Sequence, residues 1–400
     1  MPTHRRLIGL ASGSGNQAVD AALVELIGVG LELSPGAVYH LRQPLPPGPN
    51  AAPADWGAQA RANRLLGEAY AAAAVQLFHR HRLGPGDVQA AGCLGPLRAH
   101  EPDARPPATV EAGMPALVAE RTGLTTVSDF RERDLAAGGQ GMPVTALADY
   151  LLYRSRDEDR LLVHLGSVSS LVHIPAGGRL TDVTAFEAGP CNRLLDGLIA
   201  YWTEGREPFD PGGRHAVQGR CLEPLLRQWA HHPYLSRRPP KSLARSEFGP
   251  DFLAAAGELT RQHQGALQDL LCTATHFAAE CVAQACRRWL PVGDRPLRVF
   301  LSGGGTRNGL LWSLLQQRLA PLTLESLDAL GVPAAGRSAA AAAVLAALAL
   351  DGVPANSPGL TGAAGARLLG RITPGGTRNW AACLKWMGEH LVEPWLLPAA

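Results

Sequence analysis

The chain predicts a duplicated α/β fold of two domains, and three observations carry that expectation. Its 400 residues exceed what one hydrophobic core comfortably holds. Strand-like and helix-like runs alternate in the same order twice. In each half an apolar strand breaks directly into glycine and hydroxyl residues: 7–10 runs into Ser12-Gly13-Ser14-Gly15, 161–165 into Gly166-Ser167, and 297–301 into Ser302-Gly303-Gly304-Gly305-Thr306-Arg307-Asn308.

Residues 6–10, 21–27 and 38–42 read as three strands separated by turn residues. Beyond a Pro/Gly-rich loop at 44–53, Leu65, Leu66, Ala69, Ala73 and Leu77 recur at helical spacing and predict one long helix over 56–82. A strand at 88–93, a Pro- and Arg-rich loop at 96–107, a helix at 115–122 and a strand at 124–127 complete a first domain, set at 1–150. The alternation restarts with strands at 161–165, 168–174 and 180–186, then a helix at 192–202. One helical stretch over 251–290 leads to the strand at 297–301, and two more helices close a second domain, set at 151–374. The alanine-rich 338–350 is too short to span a membrane and reads as a buried helix. The remaining 375–400, with Trp380, Trp386 and Trp395, form an extension whose amphipathic helix is expected to pack on the body or to serve a dimer contact. A ligand cleft between the halves is the expected place for a site.

Composition narrows the function. With 46% hydrophobic and 18% charged residues the chain is neither disordered nor fibrous. A net charge of +2 with interspersed signs gives no electrostatic case for nucleic acid or an anionic membrane. Seven cysteines without a CxxC pair argue against zinc and against a disulfide framework, and for a reducing cytoplasm. Residues 1–6 lead straight into a strand, not into the apolar core of a signal peptide.

A strand that breaks into glycines and then opens a helix suits a phosphate or nucleotide. Glycine lets backbone approach a ligand without a Cβ, and a helix start offers unpaired N–H groups. Ser12, Gly13 and Ser14, then Gly166 and Ser167, then Gly303, Gly304, Gly305 and Asn308 are the candidates; each set is equally a tight turn that binds nothing. Phosphoryl transfer also needs a metal held by carboxylate and a group that orients the nucleophile. Glu187, ahead of Ala188-Gly189-Pro190-Cys191-Asn192, ends a strand just before a helix, a place that suits a general base or, alternatively, a helix cap. The segment 128–141 alternates acids and arginines before a glycine-rich loop. Arg131 and Asp134 could bind an anionic, hydroxyl-rich substrate there, or form a solvent-exposed salt-bridge ladder ahead of a flexible loop.

That segment with its continuation, SDFRERDLAAGGQGMP from Ser128 to Pro143, closely resembles the signature of the anhydro-N-acetylmuramic acid kinases, bacterial enzymes of cell-wall recycling. Residues 112–123 resemble the family's lead-in. Gly92-Cys93 with His100-Glu101-Pro102, Pro239-Pro240-Lys241-Ser242, 302–308 and Thr361-Gly362-Ala363 fall in the family's order, so the resemblance spans about 6–374. It implies the duplicated actin/hexokinase-type (ribonuclease H-like) fold with a cleft between domains. It also implies ATP with magnesium as cofactor, and opening of a 1,6-anhydro ring by water with phosphorylation at O6. On that resemblance Glu187 activates water, and Ser12, Gly13 and Ser14 line one phosphate. Gly166 and Ser167 line another, and Gly303, Gly304, Gly305 and Asn308 serve the nucleotide. Arg131, Asp134, Gln140, Gly189 and Asn192 bind the sugar.

Departures from the family pattern cluster at these same places. Where the family's first loop reads S-G-T-S-x-D-G, Gln17 replaces the acid and Ala18 the last glycine, so magnesium loses an anionic oxygen and no metal ligand is assigned. N-I-G-G-I-A-N has become His164-Leu165-Gly166-Ser167-Val168-Ser169-Ser170. Glu187 stands for the aspartate of D-T-G-P-G-N, one methylene longer, and a base displaced by about 1 Å loses on the order of a hundredfold in rate. H-G-Q-T has become Leu94-Gly95-Pro96-Leu97, and a late D-x-x-E is replaced around 335–338 by small residues and Arg337. These changes set a second reading beside the kinase: a catalytically weak or inactive paralogue that keeps the fold and binds a sugar or a protein partner.

Overall fold

In the computed structural model the described residues are 3–13, 18–45, 55–290 and 296–390. The chain begins with strands β1 (His4–Ser12), β2 (Ala18–Ile27) and β3 (Ser34–Pro44), then helix α1 (Trp56–His81). Strands β4 (Ala90–Leu94), β5 (Leu97–Glu101) and β6 (Ala108–Glu111), helix α2 (Pro115–Thr122), strand β7 (Thr126–Ser128) and helices α3 (Phe130–Ala136) and α4 (Ala146–Tyr153) follow. Next come β8 (Asp159–Leu165), β9 (Val168–Ile174), β10 (Thr184–Pro190) and helices α5 (Asn192–Trp202), α6 (Glu223–Ala230), α7 (Pro233–Ser236), α8 (Pro250–Gln262) and α9 (Leu267–Trp289). The last stretch holds β11 (Leu297–Ser302), α10 (Gly309–Arg318), β12 (Leu324–Ser326), α11 (Arg337–Leu350), α12 (Pro358–Thr361), β13 (Arg371–Thr373) and α13 (Thr377–His390).

The same sheet is built twice. In the first, the order is β13-β7-β4-β1-β2-β3; in the second, β10-β9-β8-β11-β12. In both, the first three strands of the unit pair antiparallel and two later strands add parallel to the first: β1–β2–β3 with β4 and β7, and β8–β9–β10 with β11 and β12. The mixed α/β, duplicated ribonuclease H-like fold is therefore present over five strands of each sheet, with β13 an added antiparallel edge on the first.

The chain divides into two compact units, one of residues up to 154 together with those from 328 onward, the other of 155–327. The expected boundaries at 150 and 374 differ from this, because α11 does not belong with the second sheet. Its alanines lie flat on β1 and β4 of the first. A Cβ at Gly9 would fall inside the carbonyl oxygen of Ala339, and one at Gly92 inside that of Ala342. All of 339–348 is buried. The opposite face of the same sheet carries Ile8, Leu10, Val19, Ala21 and Leu23 against Leu66, Tyr70, Ala73 and Leu77 of α1. In the second unit Leu161, Val163, Leu165, Val299 and Leu301 pack under Ala279, Val282 and Ala283 of α9 and Leu311, Leu314 and Leu315 of α10.

Several local expectations are corrected. The loop at 96–107 holds most of a β-hairpin, β5–β6. The helix at 251–290 is two helices, broken where Gln264 adopts φ 54° and Gly265 packs on Thr260 and Leu222. The strand at 180–186 starts only at Thr184, after a 3-10 turn. Helix α13 packs on the first unit. Asn379 accepts from the Thr125 amide and donates to the Gln89 carbonyl, and Trp386 Nε1 donates to Asp351. Trp395 lies outside the described residues.

The glycines under α11 give a direct test. Gly9→Ala and Gly92→Ala are each expected to lose at least about 2–3 kcal/mol of stability by forcing a helix backbone off a strand. Gly388→Ala, in exposed α13 with no atom within 4 Å of the added Cβ, gains up to about 1 kcal/mol. Urea midpoints of the three variants check this, and equal midpoints would contradict the packing.

Candidate active site

Because β8 and β11 are parallel neighbours with Ser302 beside His164, their C-terminal ends bring two glycine turns together. Gly303 has φ 88° and ψ 170°, a conformation open to glycine alone, and its Cβ position is 2.6 Å from the Leu165 carbonyl oxygen. Gly305 is pressed on the Leu165 side chain. Gly304 is different: it is exposed, with the Asn192 amide 3.5 Å and the Arg307 guanidinium 3.7 Å from where a Cβ would stand. Beneath the two turns His164 shares a hydrogen bond with Ser302 Oγ at 3.1 Å, and its ring edge lies 2.9 Å from the Cβ position of Gly166.

Helix α5 starts on the same turn. The amides of Cys191 and Arg193 donate to the Ser167 carbonyl and that of Asn192 to Gly166, each at 3.1 Å; Asn192 Nδ2 donates to Leu165. The first amides of this helix are thus engaged by the protein's own turn. Asn308 is an N-cap, its Oδ1 accepting from the Leu311 amide at 3.1 Å while the residue packs on Gly213.

Glu187 sits on β10 at a bulge, 4% exposed. Its Oε2 accepts from the Leu243 amide at 2.6 Å, its own amide donates to the Lys241 carbonyl, and its carbonyl accepts from Tyr234 OH at 2.8 Å. One bond holds the carboxylate and two hold its backbone, from the 241–243 loop and from α7; because β10 runs on to Pro190, the residue stands within the strand and not at its end as expected. Gly189, two residues on, is needed by packing: a Cβ there would stand 2.8 Å from Cys281.

In the first unit, Ser12 Oγ and Tyr70 OH lie 2.8 Å apart, and burial pushes the Tyr70 phenol well above its ordinary range. Ser14 and Gln17 lie outside the described residues, and Gly13 has nothing within 4 Å of its Cβ position. The segment 128–141 is not an exposed ladder. Arg131 is buried against Glu111 at 2.6 Å, and Glu111 also accepts from the Gly95 amide. Asp134 is fully buried and accepts from the Gly141 amide, Asn356 Nδ2 and Thr361 Oγ1 at 2.7, 2.6 and 2.6 Å. The Gln140 amide donates to the Thr361 carbonyl at 2.7 Å. Only Glu132, Arg133, Ala136 and Gly138 of this stretch up to Gln140 face solvent. Arg131 and Asp134 therefore shape the glycine loop from below.

These geometries allow a test of the groups a kinase carries. Paired glycine turns, with Gly304 open beside an amide and a guanidinium, fit a polyphosphate. Among the described residues no three of His, Cys, Asp and Glu are placed to cage a metal ion. Magnesium commonly takes one or two carboxylates and keeps waters and phosphates, so a full protein cage is not what it requires.

Sequence reasoning passed over Tyr234, Lys241 and Asp196. Lys241 and its Pro-Pro-Lys-Ser motif were in view; that its backbone holds Glu187 required the fold. Tyr234 has no periodicity signal. Asp196 follows Asn192 by one turn of α5, and burial, with no opposing cation, pushes its carboxyl up to about 7.

The two sheets share the ribonuclease H-like strand order, and the chain's sequence relatives make it a carbohydrate kinase, a phosphotransferase. The chain belongs to the anhydro-N-acetylmuramic acid kinase family, whose model matches residues 5–375. The anhydro-N-acetylmuramic acid kinase of Gloeobacter violaceus is 36% identical over 380 residues, covering 92% of this chain and 98% of that one. That of Streptomyces coelicolor is 36% identical over 386 residues, covering 92% and 94%. Among solved structures, the activator of 2-hydroxyisocaproyl-CoA dehydratase from Clostridium difficile with bound ADPNP aligns at TM-score 0.41 and 12% identity, covering 86% and 94%.

Asp196 yields a pH prediction. Its folded pKa lies above its unfolded value near 4, so the folded state binds the extra proton between about pH 4 and 7 and stability falls as pH rises through that window. Asp196→Asn is expected to raise the melting midpoint by a few degrees at pH 8, with the gain shrinking toward pH 5. Melts across that range decide it; a gain independent of pH would show that the carboxyl titrates normally.

Proposed function

We propose that the chain transfers the γ-phosphoryl group of ATP to O6 of anhydro-N-acetylmuramate while water opens the 1,6-anhydro ring, a step in cell-wall recycling in the cytoplasm. Family membership supports the reaction class. The observation that carries the site is Glu187, a buried carboxylate at a bulge within β10 with one oxygen held by a backbone amide. An oxygen held in place gives the carboxylate a defined orientation, which a general base needs.

Glu187 would take the proton of the attacking water and orient it toward the anomeric carbon. Gly166 and Ser167, with Gly303, Gly304 and Gly305, would let backbone approach the phosphates, and Asn192 and Arg307 flank the open side at Gly304. Ser12 and Gly13 would serve the phosphate at the first sheet. Asn308 acts by fixing the start of α10, and Gly189 by letting α9 close on β10. ATP would supply the phosphoryl group, and magnesium, to which this chain assigns no protein ligand, would neutralise the developing charge. On the sugar side Arg131 and Asp134 would hold the glycine loop in shape and Gln140 would present from it. The reading as an inactive paralogue is not favoured, since the family match spans nearly the whole chain and the carboxylate at 187 is retained.

A coupled assay for ADP with anhydro-N-acetylmuramate and Mg-ATP tests this. Turnover is expected in the parent chain, and Glu187→Gln should lower kcat by about a hundredfold or more. Millimolar Mg-ATP should also raise the melting midpoint, because a ligand well above its dissociation constant stabilises the folded state. No turnover together with an unmoved midpoint would sink the proposal.

A further inference from the structure

Lys241 is 3% exposed, an uncommon place for an ammonium. Its Nζ donates to the Tyr234 carbonyl at 3.1 Å and lies 3.5 Å from that of Leu235, at the end of α7. It sits 4.5 Å from the centre of the Tyr234 ring and 5.9 Å from that of Phe186, the residue before Glu187. Carbonyl oxygens and ring faces are a favourable setting for a cation. Burial pushes the ammonium down to about 8, with Cys281 and Arg288 of α9, Arg237 after α7 and Glu247 beyond the loop as the charged or titratable groups around it. At neutral pH it remains mostly charged.

Tyr234 and the backbone of the 241–243 loop link Lys241 to Glu187. Tyr234, whose carbonyl and ring hold the ammonium, donates its hydroxyl to the Glu187 carbonyl. The Lys241 carbonyl accepts from the Glu187 amide, and two residues later the Leu243 amide holds Glu187 Oε2. The side chain of Lys241 thus closes a ring of contacts running α7, the 239–243 loop and β10.

We propose that Lys241 is a positioning residue for the catalytic carboxylate: its buried ammonium locks the 241–243 loop so that the Leu243 amide stays on Glu187 Oε2. The proposal rests on Glu187 being the base. It assigns the Pro-Pro-Lys-Ser motif a task in catalysis, carried by Lys241 at a distance from the reacting atoms.

The test measures kcat against pH, with KM for ATP and for sugar, in the parent, Lys241→Met, Tyr234→Phe and Glu187→Gln. Lys241→Met keeps length and apolar bulk but removes the charge. It is expected to lower kcat by about tenfold to a hundredfold, the scale of a sub-ångström to 1 Å misplacement, with both KM values within about twofold. The acid limb of kcat should move up by about half a unit or more as the amide's hold weakens. Tyr234→Phe, which leaves every charge in place, should move the limb in the same direction by less. A merely structural lysine would lower the folded fraction and the melting midpoint without moving the limb. An unmoved limb in folded Lys241→Met, or in Tyr234→Phe where the first variant does not fold, overturns the positioning role while leaving Glu187 as base. Parent-like turnover in Glu187→Gln overturns the base and, with it, this inference.

Discussion

The first unit depends on the fit of an alanine helix to two glycines. Strands β1 and β4 can accept α11 at backbone distance only because Gly9 and Gly92 lack a Cβ where Ala339 and Ala342 pass. That closeness selects alanine on the helix, and alanine buries little area per residue, so other interactions must fix the helix along its axis. Two buried ion pairs do so. Arg337, at the helix start, pairs with Asp149 of α4, and Asp351, at its end, pairs with Arg5 of β1 at 2.7 Å while also taking the Gly30 amide and Trp386 Nε1. Both charges have the wrong sign for the helix dipole at their end. Their direct partners outweigh it, since losing one member of a buried pair costs about 3–5 kcal/mol.

The second unit uses strand ends instead. Parallel β8 and β11 end side by side, and each breaks into glycine at the same level, so the turns share one floor formed by Leu165, His164 and Ser302. The antiparallel side of the sheet supplies Glu187, at a bulge beyond which β10 pairs with β9 as far as Pro190. The glycine turns and the proposed base thus lie on strands of one sheet, with backbone set by strand pairing and, at Glu187, also by the 241–243 loop.

Much of this was legible in the sequence. Most strands of the two sheets, helix α1 and the breaks into glycine follow from periodicity and punctuation, because those signals are local; the three-residue β12 and β13 carry too short a pattern to be expected. The destination of α11 was not legible. An alanine run says that a helix is tightly packed and leaves open which sheet receives it, and the complementary glycines lie more than two hundred residues away in the chain. The segment 128–141 was misjudged in its bland reading for a related reason. Alternating acids and arginines look solvated, yet Arg131 and Asp134 find Glu111, Asn356 and Thr361, partners that no spacing rule links to them. Glu187 was found by its expected place at a strand end; its loop of support was found only in the fold.

That same long-range pairing sorts the departures from the family pattern. The late acidic motif is lost around 335–338, but Arg337 is 2% exposed and paired with Asp149, so the replacement works inside the core. Leu94 is likewise buried, and Gly95 spends its amide on Glu111, whose other partner is Arg131. A chain in which catalysis had merely decayed would be expected to leave buried charges unmatched where partners were lost. The replacements at 94, 187 and 337 are each packed or paired inside the fold. The exchange at 187 fits the same pattern, since a side chain one methylene longer reaches the Leu243 amide and is held there. A longer carboxylate on a fixed strand can reach its water only if the loop beyond it sets where the oxygen stops, and that places the demand on the 241–243 loop and the lysine beneath it.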